Sequence, residues 1–405
     1  MGKAQANFRR VNGLLDGNVS VILDFIRGIS AILVVMEHLS SRLFVGYGNV
    51  EAPSMFVQAL YLLNILGGPS VIIFFVLSGV FISRSVLKAV YEDKWSWKSY
   101  LINRCARLMT VLVPALMLTF ILDSIAGAYF GYSTYESLYQ NAIAFLGNLF
   151  FLQNITVGVY GSNAPLWSLN YEFWYYMLFP LLFLLFSRQG RVAKFIYIGI
   201  ALFIILSIGT RMNSYFFVWL IGSAVLFLPG INLLKNRFVL ILATLFLLGA
   251  MALRPLVMTG RFFTNGWTTD LFFVDLIVGI AFGFFVYTLM HSTSHAIKKM
   301  SFRSFSQFAK LLAGFSFSLY LIHYPIINTV YYWANQNGFT GLQPGAAAIG
   351  AEIVLVALIC LAAYFFSRVT EAHTSTIRRF IAAKLTLKNR QPEMVIPKPK
   401  PKITG

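Results

Sequence analysis

Residues 21–44 read VILDFIRGISAILVVMEHLSSRLF, an apolar run long enough to cross a bilayer that nonetheless carries Asp24, Arg27, Glu37 and His38. Charged groups in such a segment are costly and usually serve function. Arg27 and His38 are eleven residues apart. At 100° per residue this returns to within about 20° of one helix face and separates them by roughly 16 Å along the axis. One face thus holds an anion-binding guanidinium and a proton-transfer imidazole, the pair that group transfer inside a membrane needs. The structural alternative is an Asp24–Arg27 pair near the interface with His38 as a polar packing residue.

Working outward, the 405-residue chain is 58% hydrophobic and only 11% charged, far below the charged share of a soluble domain. An all-α polytopic membrane bundle is therefore expected, with spans near 21–44, 69–87, 108–130, 167–186, 195–210, 214–229, 238–253, 270–290, 311–333 and 346–367, about ten helices. With a cytoplasmic N-terminus, all but about five of the 32 Lys and Arg fall on the cytoplasmic side or its boundary. Both termini are then cytoplasmic, and the net charge of +18 follows topology instead of marking a nucleic-acid partner. Crossing at Asn141–Pro165 would break the charge rule, so that segment is expected to be interfacial or re-entrant on the outer side. Residues 1–20 read as a polar cytoplasmic segment before a retained, uncleaved first helix. Residues 21–390 read as the membrane domain. Residues 391–405, QPEMVIPKPKPKITG, read as a disordered tail weakly attracted to anionic membrane lipids. Cys105 and Cys360 are too few for a disulfide framework, and no metal site is expected. No GxGxxG, P-loop or HExxH stands where its mechanism needs it, and no internal repeat of a transporter is evident.

Four further constellations carry polar chemistry in apolar surroundings. In YEDKWSWKSYLINRCARL (91–108), Lys98, Arg104 and Arg107 gather in a cytoplasmic loop. If that stretch is helical, Arg104 and Arg107 lie one turn apart and their guanidinium groups can share a phosphate-bearing ligand; ordinary positive-inside bias is the alternative. In GFSFSLYLIHYPII, Ser316, Tyr320 and His323 lie on one helical face. His323 is about 18 Å along a helix that also runs outward, so it reaches the depth of His38. APLWSLNYEFWYYMLFP places Trp167, Ser168 and Glu172 at the outer boundary, with Trp174, Tyr175 and Tyr176 as an aromatic interface belt. A carboxylate among aromatic faces suits a sugar. Gly67-Gly68-Pro69 starts a helix whose Ser78-Gly79 pair permits close helix packing.

Together these residues resemble the membrane acyltransferase-3 family of bacterial O-antigen, exopolysaccharide and macrolide modification. LDFIRGISAILVVMEH at 23–38 is similar to the family's opening Asp and Arg-x10-His pattern, and FFVLSGVFI at 74–82 to its Phe-Phe-Val-Leu-Ser-Gly element. Arg104-Cys-Ala-Arg107 resembles its Arg-x-x-Arg, LWSLNYE its Trp-Ser-Leu-x-x-Glu, and SFSLYLIHYP its Ser-x-x-Leu-Tyr-Leu-x-His-x-Pro. The resemblance implies a multi-pass enzyme of the bacterial cytoplasmic (inner) membrane. It would move an acyl group, acetyl above all, from cytoplasmic acyl-CoA to a hydroxyl of an extracytoplasmic saccharide or lipid-linked saccharide, with no permanently bound cofactor. Arg27, Arg104 and Arg107, with Lys98, would hold the donor. His38 would be the general base, with His323 and Tyr320 orienting the acceptor or stabilising an oxyanion. Glu172, Trp167 and Ser168 would bind the acceptor, and Asp24, Glu37, Ser78, Gly79 and Ser316 would orient or support. Glu37 departs from the apolar or aromatic residue usual beside the His, and the esterase-like domain that some relatives append is not found here. A transporter lined by the same charges, or a scaffold that binds acyl-CoA without turnover, are the rival readings.

Overall fold

A helix forms at each of the ten apolar runs, because each is predominantly apolar over at least 16 residues and presents a continuous apolar surface to the core or to lipid. The computed structural model describes residues 2–133, 137–187, 189–258, 271–296 and 303–387, so the expected tail at 391–405 lies outside the described residues. In chain order the helices are α1 (Gly2–Leu14), α2 (Asn18–Leu43), α3 (Met55–Asn64), α4 (Gly67–Tyr91), α5 (Trp97–Phe130), α6 (Leu138–Leu149), α7 (Leu166–Leu184), α8 (Arg191–Ser207), α9 (Gly209–Val225), α10 (Arg237–Met258), α11 (Phe272–Ala296), α12 (Arg303–Gln336), α13 (Ala346–Val369) and α14 (Thr374–Leu387). Among the described residues, seven stretches are long and apolar enough to cross a membrane. The expected pair of spans at 195–210 and 214–229 is instead α8 and α9, short helices that bend by 118° at their junction. They count together as an eighth span if one broken helix crosses. The α7 helix is 19 residues long, but polar and aromatic residues dilute its first turns.

Residues 1–20 are less peripheral than their polarity implies: Phe8 and Val11 of α1 and Leu15 just after it are buried in the core of the bundle. The basic stretch 91–108 is helical from Trp97 onward, so it is the first part of α5 instead of a loop. At Asn141–Pro165, α6 has 12 residues, too few to cross, and the chain continues in turns. Asn148 secures those turns. Its buried amide donates to Ala144 O at 2.8 Å and Gly158 O at 2.9 Å and accepts from Tyr160 N–H at 3.1 Å, satisfying backbone that lipid could not.

Two close approaches set the frame of the site. A Cβ on Gly28 would stand 2.5 Å from Leu312 Cβ, so its absence lets α2 and α12 pack backbone to backbone, running parallel. A Cβ on Gly79 would strike Trp219 O, and one on Gly222 would strike Val76 O, which locks α4 to α9.

Two prolines inside helices free carbonyls that neighbouring side chains then satisfy. Pro180 has no N–H for Tyr176 O, which accepts instead from the Tyr100 hydroxyl at 2.8 Å, tying α7 to α5. Pro325 leaves Leu321 O, which accepts from Asn163 Nδ2 at 2.8 Å and fixes the loop before α7 to α12. The helix ends that carry the Lys- and Arg-rich connections are called the basic end below; the opposite ends are the charge-poor end.

Candidate active site

Arg27 is placed by α2 and the close α2–α12 contact. Its Nη2 reaches Asp24 Oδ1 at 3.1 Å and Ala313 O at 3.4 Å, so the Asp24–Arg27 pair is real. The pair leaves part of the guanidinium facing inward: Arg27 lines a cavity of about 820 Å³ empty volume between α2, α4, α5, α7 and α12. Arg107, Ser78, Ser168, Glu172, Tyr176, Ser316, Tyr320 and Glu371 line the same cavity. Polar groups therefore converge from five helices and the turn after α13, inside a wall of Phe74, Phe75, Phe81 and Phe317.

Arg107 makes no hydrogen bond and no ion pair within 4.0 Å among the described residues, leaving its five donors available. Arg104 is turned away. Its Nη2 donates to Ser85 Oγ at 3.1 Å and its guanidinium lies over the Tyr100 ring at 5.5 Å, so the two arginines do not share one ligand position. Lys98 is further removed, its Nζ donating to Leu385 O of α14 at 3.1 Å beside a separate surface cavity with Arg378 and Arg379.

Glu172 does not stand at an outer boundary apart from the arginines. The first turns of α7 descend into the bundle, so Glu172 accepts from Tyr176 in the same cavity as Arg27 and Arg107. Trp167 packs edge-on against Phe75 and Tyr171 and does not line the cavity. Tyr175 and Tyr176, expected in an interface belt, are buried: Tyr175 donates to Met212 O at 2.6 Å. Ser168 and Tyr320 share a hydrogen bond of 2.7 Å that closes the cavity toward the charge-poor end. Ser316 lines the wall with its hydroxyl bonded back to Ala313 O at 2.9 Å.

Beyond Tyr320 stand the histidines. From Ala313 beside Arg27 to Tyr320 is about 10 Å along α12, and His323 lies about 5 Å further. His323 is fully buried, its ring 5.9 Å from Tyr320 and stacked on His38 at 5.4 Å. His38 also meets Tyr324 edge-on at 4.7 Å. Leu319 O lies 3.0 Å from His323 Nδ1, and a carbonyl only accepts, so in the neutral ring Nδ1 carries the proton and Nε2 the lone pair. That Nε2 is buried with no hydrogen-bond partner. Neither histidine lines the cavity itself; the pair sits immediately past its Tyr320–Ser168 end.

Glu37 has a definite place. Its Oε2 accepts from Gly68 N–H at 2.6 Å, capping the start of α4, where Gly67 and Gly68 leave room for the carboxylate and for Arg254. Ser78 accepts from Trp219 Nε1 at 3.1 Å while facing the cavity, and Gly79 beside it makes the close α4–α9 packing. The residue that sequence reasoning missed is Glu371. It follows α13 in a short 3-10 turn, accepts from Ser318 Oγ at 3.0 Å and lines the cavity. Its only signal in sequence is an acid in an otherwise basic stretch.

The arrangement fits a cavity that admits an anionic, partly apolar molecule from the basic end and delivers its far end to a histidine pair. Comparison with known proteins agrees with a transfer chemistry. The chain is 30% identical over 174 residues, 40% of its length and 67% of the relative's, to an uncharacterized protein of Haemophilus influenzae. No solved structure matches it. A family model described as an acyltransferase domain matches residues 21–368, which include every cavity-lining residue except Glu371. With that match covering nearly the whole membrane bundle, the chain belongs to the acyltransferase-3 family.

Proposed function

We propose that this membrane acyltransferase is an acyl-CoA-dependent O-acyltransferase whose acceptor is a hydroxyl of a saccharide or lipid-linked saccharide, with acetyl as the favoured acyl group and the bacterial inner membrane as its site. The observation that carries this reading is the free guanidinium of Arg107 in a cavity that ends at the histidine pair. Arg107 and Arg27 hold donor phosphates from the basic end, and Arg104 and Lys98 contribute attraction at the approach. The acyl-bearing arm lies along the apolar wall between Phe74, Phe81 and Phe317, its thioester near Tyr320. The acceptor arrives from the charge-poor end. Its hydroxyl oxygen attacks the thioester carbonyl while His38 takes the hydroxyl proton; the new C–O bond forms, the C–S bond breaks, and the proton passes to the departing thiolate to give free CoA. In this reading Tyr320 turns its hydroxyl from Pro165 O to donate to the developing oxyanion, and His323 holds the His38 ring. Glu172 and Glu371 balance the two arginines and keep the donor from binding too tightly to leave.

The test is release of free CoA from acetyl-CoA by purified protein in proteoliposomes, with and without cell-envelope glycans, together with mass spectrometry of those glycans. Acceptor-dependent thiol release with a gain of one acyl group supports the reading. Transport of a solute without thiol release, or acyl-CoA binding without product, points to the transporter or scaffold instead.

A further inference from the structure

A second cavity opens at the charge-poor end, between the last turns of α5, the start of α6 and Tyr160, with about 750 Å³ of empty volume. Asp123, Ser124, Tyr132, Asn141 and Tyr160 face it, together with Phe120. Asp123 Oδ2 accepts from Ser162 N–H at 2.8 Å, and the Tyr160 hydroxyl donates to Asn141 Oδ1 at 2.7 Å. These bonds fix both side chains while leaving carboxylate lone pairs and the Asn141 amide N–H groups for a ligand. Among the described residues, no Lys, Arg or His lines the cavity and Asp123 is in none of the ion pairs. An uncompensated carboxylate disfavours an anionic ligand. Hydroxyl donors, amide donors and aromatic faces together suit a neutral polyhydroxyl molecule.

The cavity is also tied to α12 near His323. Asn163 Nδ2, next to Ser162, donates to Leu321 O at 2.8 Å, and Asn328 Nδ2 donates to Ser162 O at 3.2 Å. The segment that holds Asp123 is thus pinned to the turns of α12 on either side of His323. On the other rim, Tyr132 stacks on Tyr332 of α12 at 3.9 Å.

We infer that this cavity is the subsite for the sugar rings of the acceptor, an inference that rests on the O-acyltransferase reading above. Vicinal hydroxyls of a neutral saccharide donate to Asp123 and accept from Asn141, and a ring face lies against an aromatic wall. The saccharide is thereby anchored beside the turn that carries His323.

The experiment measures binding in the absence of donor, so that it stands apart from turnover. Saturation-transfer NMR is run on the full chain in nanodiscs with a panel of neutral methyl glycosides and disaccharides of hexoses and N-acetylhexosamines. Asp123→Asn keeps the shape and removes the charge; Ser124→Phe fills the cavity without touching the Asp123 bonds. At least one glycoside is expected to bind, with affinity falling about tenfold in Asp123→Asn, as expected for a lost charge-assisted hydrogen bond, and about tenfold or more in Ser124→Phe, where the ring occupies the space of the sugar. Acetyl-CoA affinity stays unchanged. If Asp123→Asn fails to fold, the Ser124→Phe result decides. Binding that neither change alters, or no glycoside binding at all, overturns the subsite. Calcium binding that depends on Asp123 without glycoside binding overturns it too, in favour of a cation site. Variant-sensitive glycoside binding in a protein that never releases CoA upholds the subsite while counting against the transfer reaction.

Discussion

His38 and His323 stack with ring centroids 5.4 Å apart, one from α2 and one from α12, at the point where the central cavity ends. Gly28 brings the helices close enough for this contact. Of the two rings, His323 is sealed in the core, whereas His38 retains some exposure. On that ground we propose His38 as the base that meets an incoming hydroxyl. His38→Ala should lower kcat by about 10² to 10⁴ with acetyl-CoA binding retained. His323→Ala should lower kcat less and also reduce thermal stability, because it opens a cavity in the core. Wild-type turnover in folded His38→Ala, with loss in His323→Ala, would show the roles to be reversed.

Arg104 and Arg107 are predicted to behave differently although they stand one turn apart. Three residues advance a helix by 300°, which leaves 60° between the two side chains. That angle sends Arg104 to Ser85 and Arg107 into the cavity. Arg107→Gln should weaken acetyl-CoA binding about tenfold or more and flatten its salt dependence, since a charge-assisted phosphate contact is worth about 1.5–3 kcal/mol. Arg104→Gln should change donor affinity far less. Isothermal titration at two ionic strengths checks both, and equal losses would mean that Arg104 swings to the donor on binding.

Glu172 shares the cavity with both arginines, so its charge opposes that of the proposed donor. Glu172→Gln keeps a hydrogen-bond acceptor for Tyr176 and removes the charge. Acetyl-CoA should then bind several-fold more tightly at low salt, with the difference shrinking as salt screens it. An unchanged donor affinity with a raised acceptor KM would instead return Glu172 to the acceptor-binding role that its sequence context implies.

Gly79 offers a test of the frame. A Cβ there meets the Trp219 carbonyl of a neighbouring helix, and backbone yields less easily than a side-chain tip. Gly79→Ala should destabilise by about 1–3 kcal/mol, as overpacking usually does, and lower the melting temperature in detergent. Ser78→Ala, which loses the hydrogen bonds to Trp219 and to the Tyr176 hydroxyl, should cost about 1–3 kcal/mol. A neutral Gly79→Ala would show that α4 and α9 can slide apart.

Much of the site was legible because helix periodicity is a strong rule. The Arg27–His38 spacing placed two groups along one face, and counting rises along two parallel helices put His323 at the depth of His38, as the stack confirms. What could not be read depends on how non-helical segments fold back. Glu371 enters the cavity through a 3-10 turn after α13, and Asp123 meets Ser162 only because the loop before α7 returns to α5. The broken α8–α9 pair escaped for a related reason, whereas the 12-residue α6 fits the expectation that Asn141–Pro165 does not cross. Apolar content marks where a chain enters the bilayer, but not whether a short helix crosses it or turns back.

The bond between Tyr100 and Tyr176 O permits a cleaner test of how this bundle satisfies its backbone. Pro180 cannot donate to Tyr176 O, and the Tyr100 hydroxyl does so at 2.8 Å from α5. Tyr100→Phe in the wild-type background leaves that buried carbonyl without its partner and should cost about 1–3 kcal/mol. Pro180→Ala restores an N–H four residues on, so the helix can close its own bond. In that background Tyr100→Phe should cost distinctly less. The double-mutant cycle, read by thermal unfolding in one detergent, should therefore give a coupling of about 1 kcal/mol or more between the two positions. Additive effects would mean that Tyr100 contributes through packing against Trp95 and Trp97 alone, and that the carbonyl finds another donor when the hydroxyl is gone.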